Sequence, residues 1–378
     1  MLYTDFGKTG VTVSRLGFGG MRFEKPQQID EMAAVVVRAF EKGVTYFDTA
    51  PGYCEDKSES ICGTAFKEMK KTGRPFYVST KTSEALPDNI RRQCERSLER
   101  LNVDAIDFYH VWCLVKPEDL PWRKKQGALD AFRKLKEEGL IRHISVSTHL
   151  EHGYVEAMLD QGDGLFESML IGLNIQNHHL RYDGVQAASR RGMAVVTMNT
   201  LGGGILTRHP ERYNNIIRPG DASILETALR FNLSLPEITV ALVGFRSCDD
   251  VDEAVEVVNR FRPFSEADIA ACSEELRRLY REFCTQCGYC GGCPQDIPVV
   301  RLMEAYNCGL VEGMEKAIQR LHYHWNASDV SALLAPCTQC RACEDACTQH
   351  LPILERFEEM KAAYAQMQAS GQGMGAEE

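Results

Sequence analysis

No apolar run in the 378 residues reaches the ~18 needed to cross a bilayer as a helix, which excludes a membrane-spanning helix. There is no excess of basic charge. Lys and Arg number 43 against 53 Asp and Glu, a net charge of −10, and so acidic a chain repels phosphate backbones, which excludes a general nucleic-acid binder. The opening MLYTDFGKTG has no basic stretch followed by an apolar one, so no secretory signal is read and a cytoplasmic protein is expected. The glycine spacing G-x-G-x-x-G is missing from the first strand–helix turn, where GFGG stands at 17–20, which speaks against a doubly wound dinucleotide fold. No flavin signature is found, and no internal repeat beyond two cysteine runs.

What the chain does have in quantity is cysteine, fifteen in all. In a reducing cytoplasm a dense cysteine pattern points to metal or catalysis rather than disulfides. Seven are scattered, and eight form two tight runs near the C-terminus: Cys284, Cys287, Cys290 and Cys293, then Cys337, Cys340, Cys343 and Cys347. Thiolates spaced by two residues wrap three corners of an iron–sulfur cube and throw the fourth cysteine outward toward a second cube. Cys284, Cys287, Cys290 and Cys347 are therefore assigned to one [4Fe–4S] cluster, and Cys337, Cys340, Cys343 and Cys293 to another. A zinc ribbon is the alternative, although zinc knuckles usually separate their cysteine pairs more widely.

Ahead of these runs, strands and helices alternate. Near-continuously apolar segments recur at 13–21, 44–50, 76–81, 105–112, 143–147, 169–176, 193–199 and 239–245. Segments of helical length lie between and after them, at 29–43, 58–73, 88–101, 127–139, 149–160, 184–192, 221–231 and 249–261. Apolar strands without alternation suit a parallel sheet covered on both faces. Eight such units in about 260 residues predict an α/β fold, a (β/α)₈ TIM barrel. The expected organisation is a barrel over 1–263, a connecting helix over 264–282, a small, mostly helical, ferredoxin-like iron–sulfur domain over 283–368, and a disordered tail over 369–378.

In such a barrel the C-terminal ends of the strands line the active site. Asp48 ends the second strand and Tyr53 follows in its loop; Lys81 ends the third and the fourth carries His110. Taken singly, each has a bland reading: a cap, a surface group or a core histidine. Together they suit reduction of a carbonyl by hydride. The oxygen needs a proton, and a phenol with a pKa of about 10 needs help to give one. An ammonium at Lys81 would lower that pKa, Asp48 would hold Lys81, and a neutral His110 would orient the substrate oxygen.

Residues 3–261 resemble the aldo/keto reductase family through FGKTGVTVSRLGFGGMR (6–22), YFDTAPGY (46–53), VSTK (78–81), DFYHVW (107–112) and LVGFRS (242–247). The chain looks especially like the subgroup with a C-terminal domain holding two iron–sulfur clusters. The resemblance implies an NADPH or NADH cofactor lying across the barrel mouth. The implied contacts are Gly20, Met21, Asp48 and Ser147, with Asn174 and Met198 standing where the family often has Gln and Tyr. Leu201 and Gly203 fall near the pyrophosphate, and Gly244, Phe245, Arg246, Ser247 and Glu253 near the adenosine. Arg246 and Ser247 would suit a 2′-phosphate and Asp249 and Asp250 would oppose it, which leaves the choice of coenzyme open. Phe23, Trp112, Cys113, Trp122 and His178 are candidate rim residues. The expected partners are a small carbonyl or alcohol substrate and an electron-transfer protein, with the oligomeric state undetermined. Two other readings stand beside this one: a reductase whose clusters deliver single electrons to an acceptor, and a barrel kept as a scaffold.

Overall fold

Eight parallel strands close into a barrel. They are β3 (Leu16–Gly19), β4 (Tyr46–Asp48), β5 (Tyr77–Thr82), β6 (Ile106–Leu114), β7 (Ile141–Thr148), β8 (Ser168–Gly172), β9 (Ala194–Met198) and β10 (Val240–Gly244), and β10 pairs with both β9 and β3. This computed structural model describes residues 1–151, 153–208, 210, 213, 216–279, 284, 289–325, 329–347 and 350–370. The chain divides into two compact units, Met1–Ser273 and Glu274–Glu378.

The segment 13–21 is not one strand. Its first residues form β2 (Thr12–Ser14), which pairs antiparallel with β1 (Tyr3–Asp5) in a hairpin. Ser14 turns the chain: its hydroxyl bonds the Leu16 carbonyl and takes the Thr45 amide, and barrel pairing begins only at Leu16. The hairpin sends Phe6 and Val13 into the barrel, where Phe6 stacks on Tyr46 and Phe108 at 5.5 and 4.2 Å between centroids.

Strand alternation fixes what lies above this plug, because successive side chains point to opposite faces. Tyr46 and Phe108 face the barrel interior, while Phe47 joins the core outside the strands and Tyr109 stacks on Phe132. Two residues further along, Asp48 and His110 therefore face inward again. Register aligns Asp48 with Ser79 and Lys81 with His110. Polar side chains from three neighbouring strands thus meet one layer above an aromatic floor.

The outer helices follow the sequence pattern, for example Ile29–Glu41, Ser58–Lys70 and Pro87–Leu101. A short helix, Asp119–Lys125, was not expected. The segment expected as a connecting helix is helical over Glu266–Leu279. In the second unit the stretch between the two cysteine runs holds the helices Val299–Glu312 and Met314–Trp325, separated where the chain turns at Gly313 with φ +102°, a conformation glycine adopts freely. The last helix is Ile353–Ala369; the tail from 371 lies outside the described residues. Among the described residues no helix is long and apolar enough to cross a membrane.

Candidate active site

Lys81 is fully buried in the barrel interior, and its ammonium is satisfied three times. It donates to both Asp48 carboxylate oxygens, at 2.7 and 2.6 Å, and to the Thr49 carbonyl at 2.7 Å. Burial pulls Lys81 below its ordinary value, and the adjacent Asp48 opposes this. Ser79 extends the network. Its hydroxyl gives its one proton to Asp48 Oδ1 at 2.7 Å, so its 2.9 Å contact with His110 Nε2 has the histidine as donor.

Tyr53 stands above this layer, its ring centroid 5.4 Å from Lys81 Nζ and its edge against Trp112 at 5.7 Å between centroids. The four residues read together from the sequence are thus neighbours. The expected acidification of Tyr53 by Lys81 is not found. Burial, and then the negative charge of Asp48, push the phenol well above its ordinary value, while Arg22 opposes them. The reason is that the charge on Lys81 is already spent on Asp48.

Burial first, and then the charge of Lys81, bring the His110 imidazole from its ordinary 6.5 down to about 3. His110 is therefore neutral at physiological pH. The unfolded chain takes up this proton below about pH 6.5 and the folded chain only near pH 3. The stability contributed by burying neutral His110 is therefore complete above pH 6.5 and is lost as the pH falls toward 3. From this group alone the unfolding free energy should fall by at most about 1.4 kcal/mol per pH unit. Urea titrations from pH 7 to 4 should give a flatter profile for His110→Asn than for wild type; equal slopes would show that another group dominates.

The residues implied for cofactor contact lie at or just beyond the same strand ends. The Gly20 amide donates to the Asp48 carbonyl at 2.7 Å, and a Cβ at Gly20 would lie 2.6 Å from Ser58 Oγ, so the loop after β3 is packed against the β4 loop. Met21 is half exposed. Ser147 Oγ takes the Cys113 amide at 3.1 Å. The Asn174 side chain is engaged locally: Oδ1 takes the Gln176 and Asn177 amides, and Nδ2 donates to the Asn199 carbonyl. Met198 ends β9, and Leu201 and Gly203 follow in its loop, Gly203 with φ +71°. Gly244 pairs with Gly19 across the β10–β3 closure. Phe245 is buried in the outer core, 5.3 Å from Phe18, so its ring does not face the mouth. Arg246 is tied to Asp250 through Nε at 3.3 Å, Ser247 caps the helix Cys248–Asn259, and Glu253 is exposed on that helix.

Sequence reading missed two groups here. One is Ser79, whose position between Asp48 and His110 depends on strand register. The other is Arg22, whose guanidinium donates to the Gly203 carbonyl at 3.2 Å and whose Cγ would lie 2.5 Å from a Cβ at Gly244. Arg22 brings a cation to where the loops after β3, β9 and β10 meet. Its only sequence signal was a basic residue following the GFGGM loop.

Residues 15–277 match the family model described as the aldo/keto reductase family. The chain belongs to this family. It is an NAD(P)-dependent oxidoreductase. It is 28% identical to the L-galactose dehydrogenase of Arabidopsis thaliana over 286 residues, covering 67% of this chain and 86% of that protein. It is 32% identical to a probable aldo-keto reductase 1 of Glycine max over 156 residues, 37% of this chain and 43% of that one. The holo form of an aldo-keto reductase from Bacillus halodurans shares the barrel, with a TM-score of 0.60, 22% identity, and coverage of 74% of this chain and 96% of that structure.

In the second unit, Cys290 and Cys347 lie within one hydrophobic cluster, and Cys284, Cys293, Cys337 and Cys343 pack against it. The turn Tyr289–Gly291 of the first run packs on the short helix Ala342–Asp345 of the second. Cys340 is exposed, and Cys287 lies outside the described residues. Among the described residues no three His, Cys, Asp or Glu side chains converge as a metal site. The described thiols thus suit a thiolate-bound cluster in chemistry and share one hydrophobic neighbourhood.

Proposed function

We propose that this family member interconverts a carbonyl and an alcohol with Tyr53 as the general acid and base, and that its second unit holds two [4Fe–4S] clusters, as in the iron–sulfur subgroup of the family. The observation that carries the first part is the convergence of Asp48, Lys81 and His110 from three adjacent strands in one buried hydrogen-bonded network beneath Tyr53. When bound, the nicotinamide supplies or accepts the hydride. In carbonyl reduction, Tyr53 gives its phenolic proton to the substrate oxygen. Its high pKa keeps the phenol protonated until that oxygen becomes basic. Neutral His110 has a single N–H, which Ser79 accepts; turned from Ser79 to the substrate oxygen, that N–H would orient it. The Asp48–Lys81 pair forms the polar layer on which the Tyr53 ring rests, with Lys81 Nζ 5.4 Å from the ring centroid. Arg22 fits the anionic phosphates of a dinucleotide.

The test is turnover by the full chain with NADH and NADPH over aldehydes, ketones, secondary alcohols and, given the L-galactose dehydrogenase relative, sugars. Tyr53→Phe should lower kcat by about a hundredfold or more while coenzyme binding by calorimetry stays unchanged. Wild-type turnover in that variant would refute the assignment.

Coenzyme choice turns on Arg246. Its pairing with Asp250 opposes recruitment by a 2′-phosphate. Asp250→Ala should therefore shift the ratio of kcat/KM toward NADPH by about threefold, a change fitting an exposed ion pair. A shift toward NADH would remove Arg246 from that role.

A further inference from the structure

The residues just after Tyr53 have a costly backbone. Cys54, Glu55 and Asp56 have φ of +50°, +54° and +62°, three consecutive non-glycine residues in the left-handed region, and Gly52 before Tyr53 has φ +79°. L-amino acids enter this region rarely and then singly, because Cβ crowds the following carbonyl. Such strain persists only where the surroundings enforce it, and it gathers at functional sites.

Here the enforcing contacts are explicit. Asp56 Oδ1 takes the Gly52 amide at 2.9 Å, which closes the turn around Tyr53. The same carboxylate receives Arg100 in a two-pronged contact at 2.7 and 2.6 Å, and Arg96 at 2.8 Å, both from the helix Pro87–Leu101. At the other end of the run Cys54 Sγ donates to the Gly20 carbonyl at 3.6 Å, beside Ser58 Oγ at 2.6 Å. The turn therefore joins the tyrosine, the loop after β3 and an outer helix. At Lys57 the chain returns to an ordinary conformation, with φ −99°.

We propose that Asp56 is a positioning residue: by clipping the left-handed run Cys54–Asp56 to Arg100 and Arg96, it holds the Tyr53 ring over Lys81. Without the carboxylate, the contacts of Cys54 with Gly20 and of Glu55 with Gln27 are too weak to offset the crowding in the run, and the turn relaxes toward ordinary conformations that carry Tyr53 away. This rests on Tyr53 acting as the proton donor. Displacing a reacting group by an ångström is enough for a large loss of rate without loss of binding.

The experiment uses the full chain and four variants, with Tyr53→Phe as the reference. Asp56→Ala should lower kcat by about tenfold to a hundredfold, while the Kd for NADPH by calorimetry stays within about threefold of wild type. Arg100→Met should reproduce that pattern with the loop sequence untouched, and it reads the proposal should Asp56→Ala fail to fold. Adding Cys54→Gly and Glu55→Gly to Asp56→Ala should restore most of the lost kcat, because glycine takes positive φ without penalty. If Asp56→Ala and Arg100→Met turn over like wild type while Tyr53→Phe does not, the clip is refuted and the role of Tyr53 stands. If Asp56→Ala loses kcat and NADPH binding together and the glycines restore neither, Asp56 merely supports the fold and the proposal falls. If Tyr53→Phe itself is fully active, the reading of Tyr53 fails and the clip fails with it.

Discussion

Asp48→Ala is expected to destabilise the barrel by about 3–5 kcal/mol and to lower turnover by about a thousandfold. Lys81 has no exposure, and of its three acceptors two are the Asp48 oxygens. Removing them leaves an ammonium in the barrel interior facing one carbonyl. Burial already pulls Lys81 down, so the variant lysine should shed its proton rather than remain an unpaired charge. The ion pair beneath Tyr53 then disappears. The Ser79 proton also loses its acceptor and turns toward His110, which breaks the arrangement in which His110 donates. Lys81→Met should cost a similar amount for the mirror-image reason, a carboxylate left in the same place. The double variant Asp48→Leu/Lys81→Met separates the two effects, because apolar groups replacing a buried pair are often neutral or stabilising. It should recover most of the unfolding free energy and none of the turnover. Urea unfolding followed by circular dichroism reads the first quantity and steady-state rates the second. A loss below about 1 kcal/mol in Asp48→Ala, typical of an exposed pair, would mean that water reaches Lys81.

The barrel was legible because its strands are buried on both faces and so lack polar alternation. Asp48, Lys81 and His110 were legible because strand ends can be counted once the strands are known. What escaped depends on partners distant in sequence or on backbone geometry. Ser79 joins Asp48 and His110 across 31 residues on each side, and Asp56 meets Arg100 across 44. Cys54 and Glu55 carry no residue preference for the left-handed region, and Asp56, which does, announces a single residue there and not a run. The segment 13–21 read as one strand because Arg15 and Ser14 are surrounded by apolar residues, whereas the Ser14 hydroxyl ends one sheet before the next begins. Phe245 follows a strand that leads to the mouth, but its ring turns back into the core. The expected effect of Lys81 on Tyr53 failed because sequence names a charge without counting its acceptors.

The proposed pair of clusters, with crossed ligands, makes a prediction that pairs of cysteine substitutions can read. Protein purified without oxygen should carry about eight irons with matching sulfide, four per cluster. In the crossed assignment Cys340 and Cys293 serve one cluster, and Cys347 serves the other with Cys284, Cys287 and Cys290. Cys340→Ala with Cys293→Ala should therefore leave about four irons, whereas Cys340→Ala with Cys347→Ala should leave almost none. Ligands kept within each run would reverse the two results, since Cys340 and Cys347 then belong together. The packing of Tyr289–Gly291 on Ala342–Asp345, with cysteines of both runs against one hydrophobic cluster, favours crossing. Crossing also closes a chain loop of more than fifty residues between Cys290 and Cys347 and so ties both runs to the helices between them. Iron removal by chelator should consequently loosen the second unit as a whole, because folding and ligand binding are coupled in small metal-holding domains. Two zinc ions in place of iron, with no visible absorbance, would overturn the cluster assignment and return the cysteine runs to a ribbon.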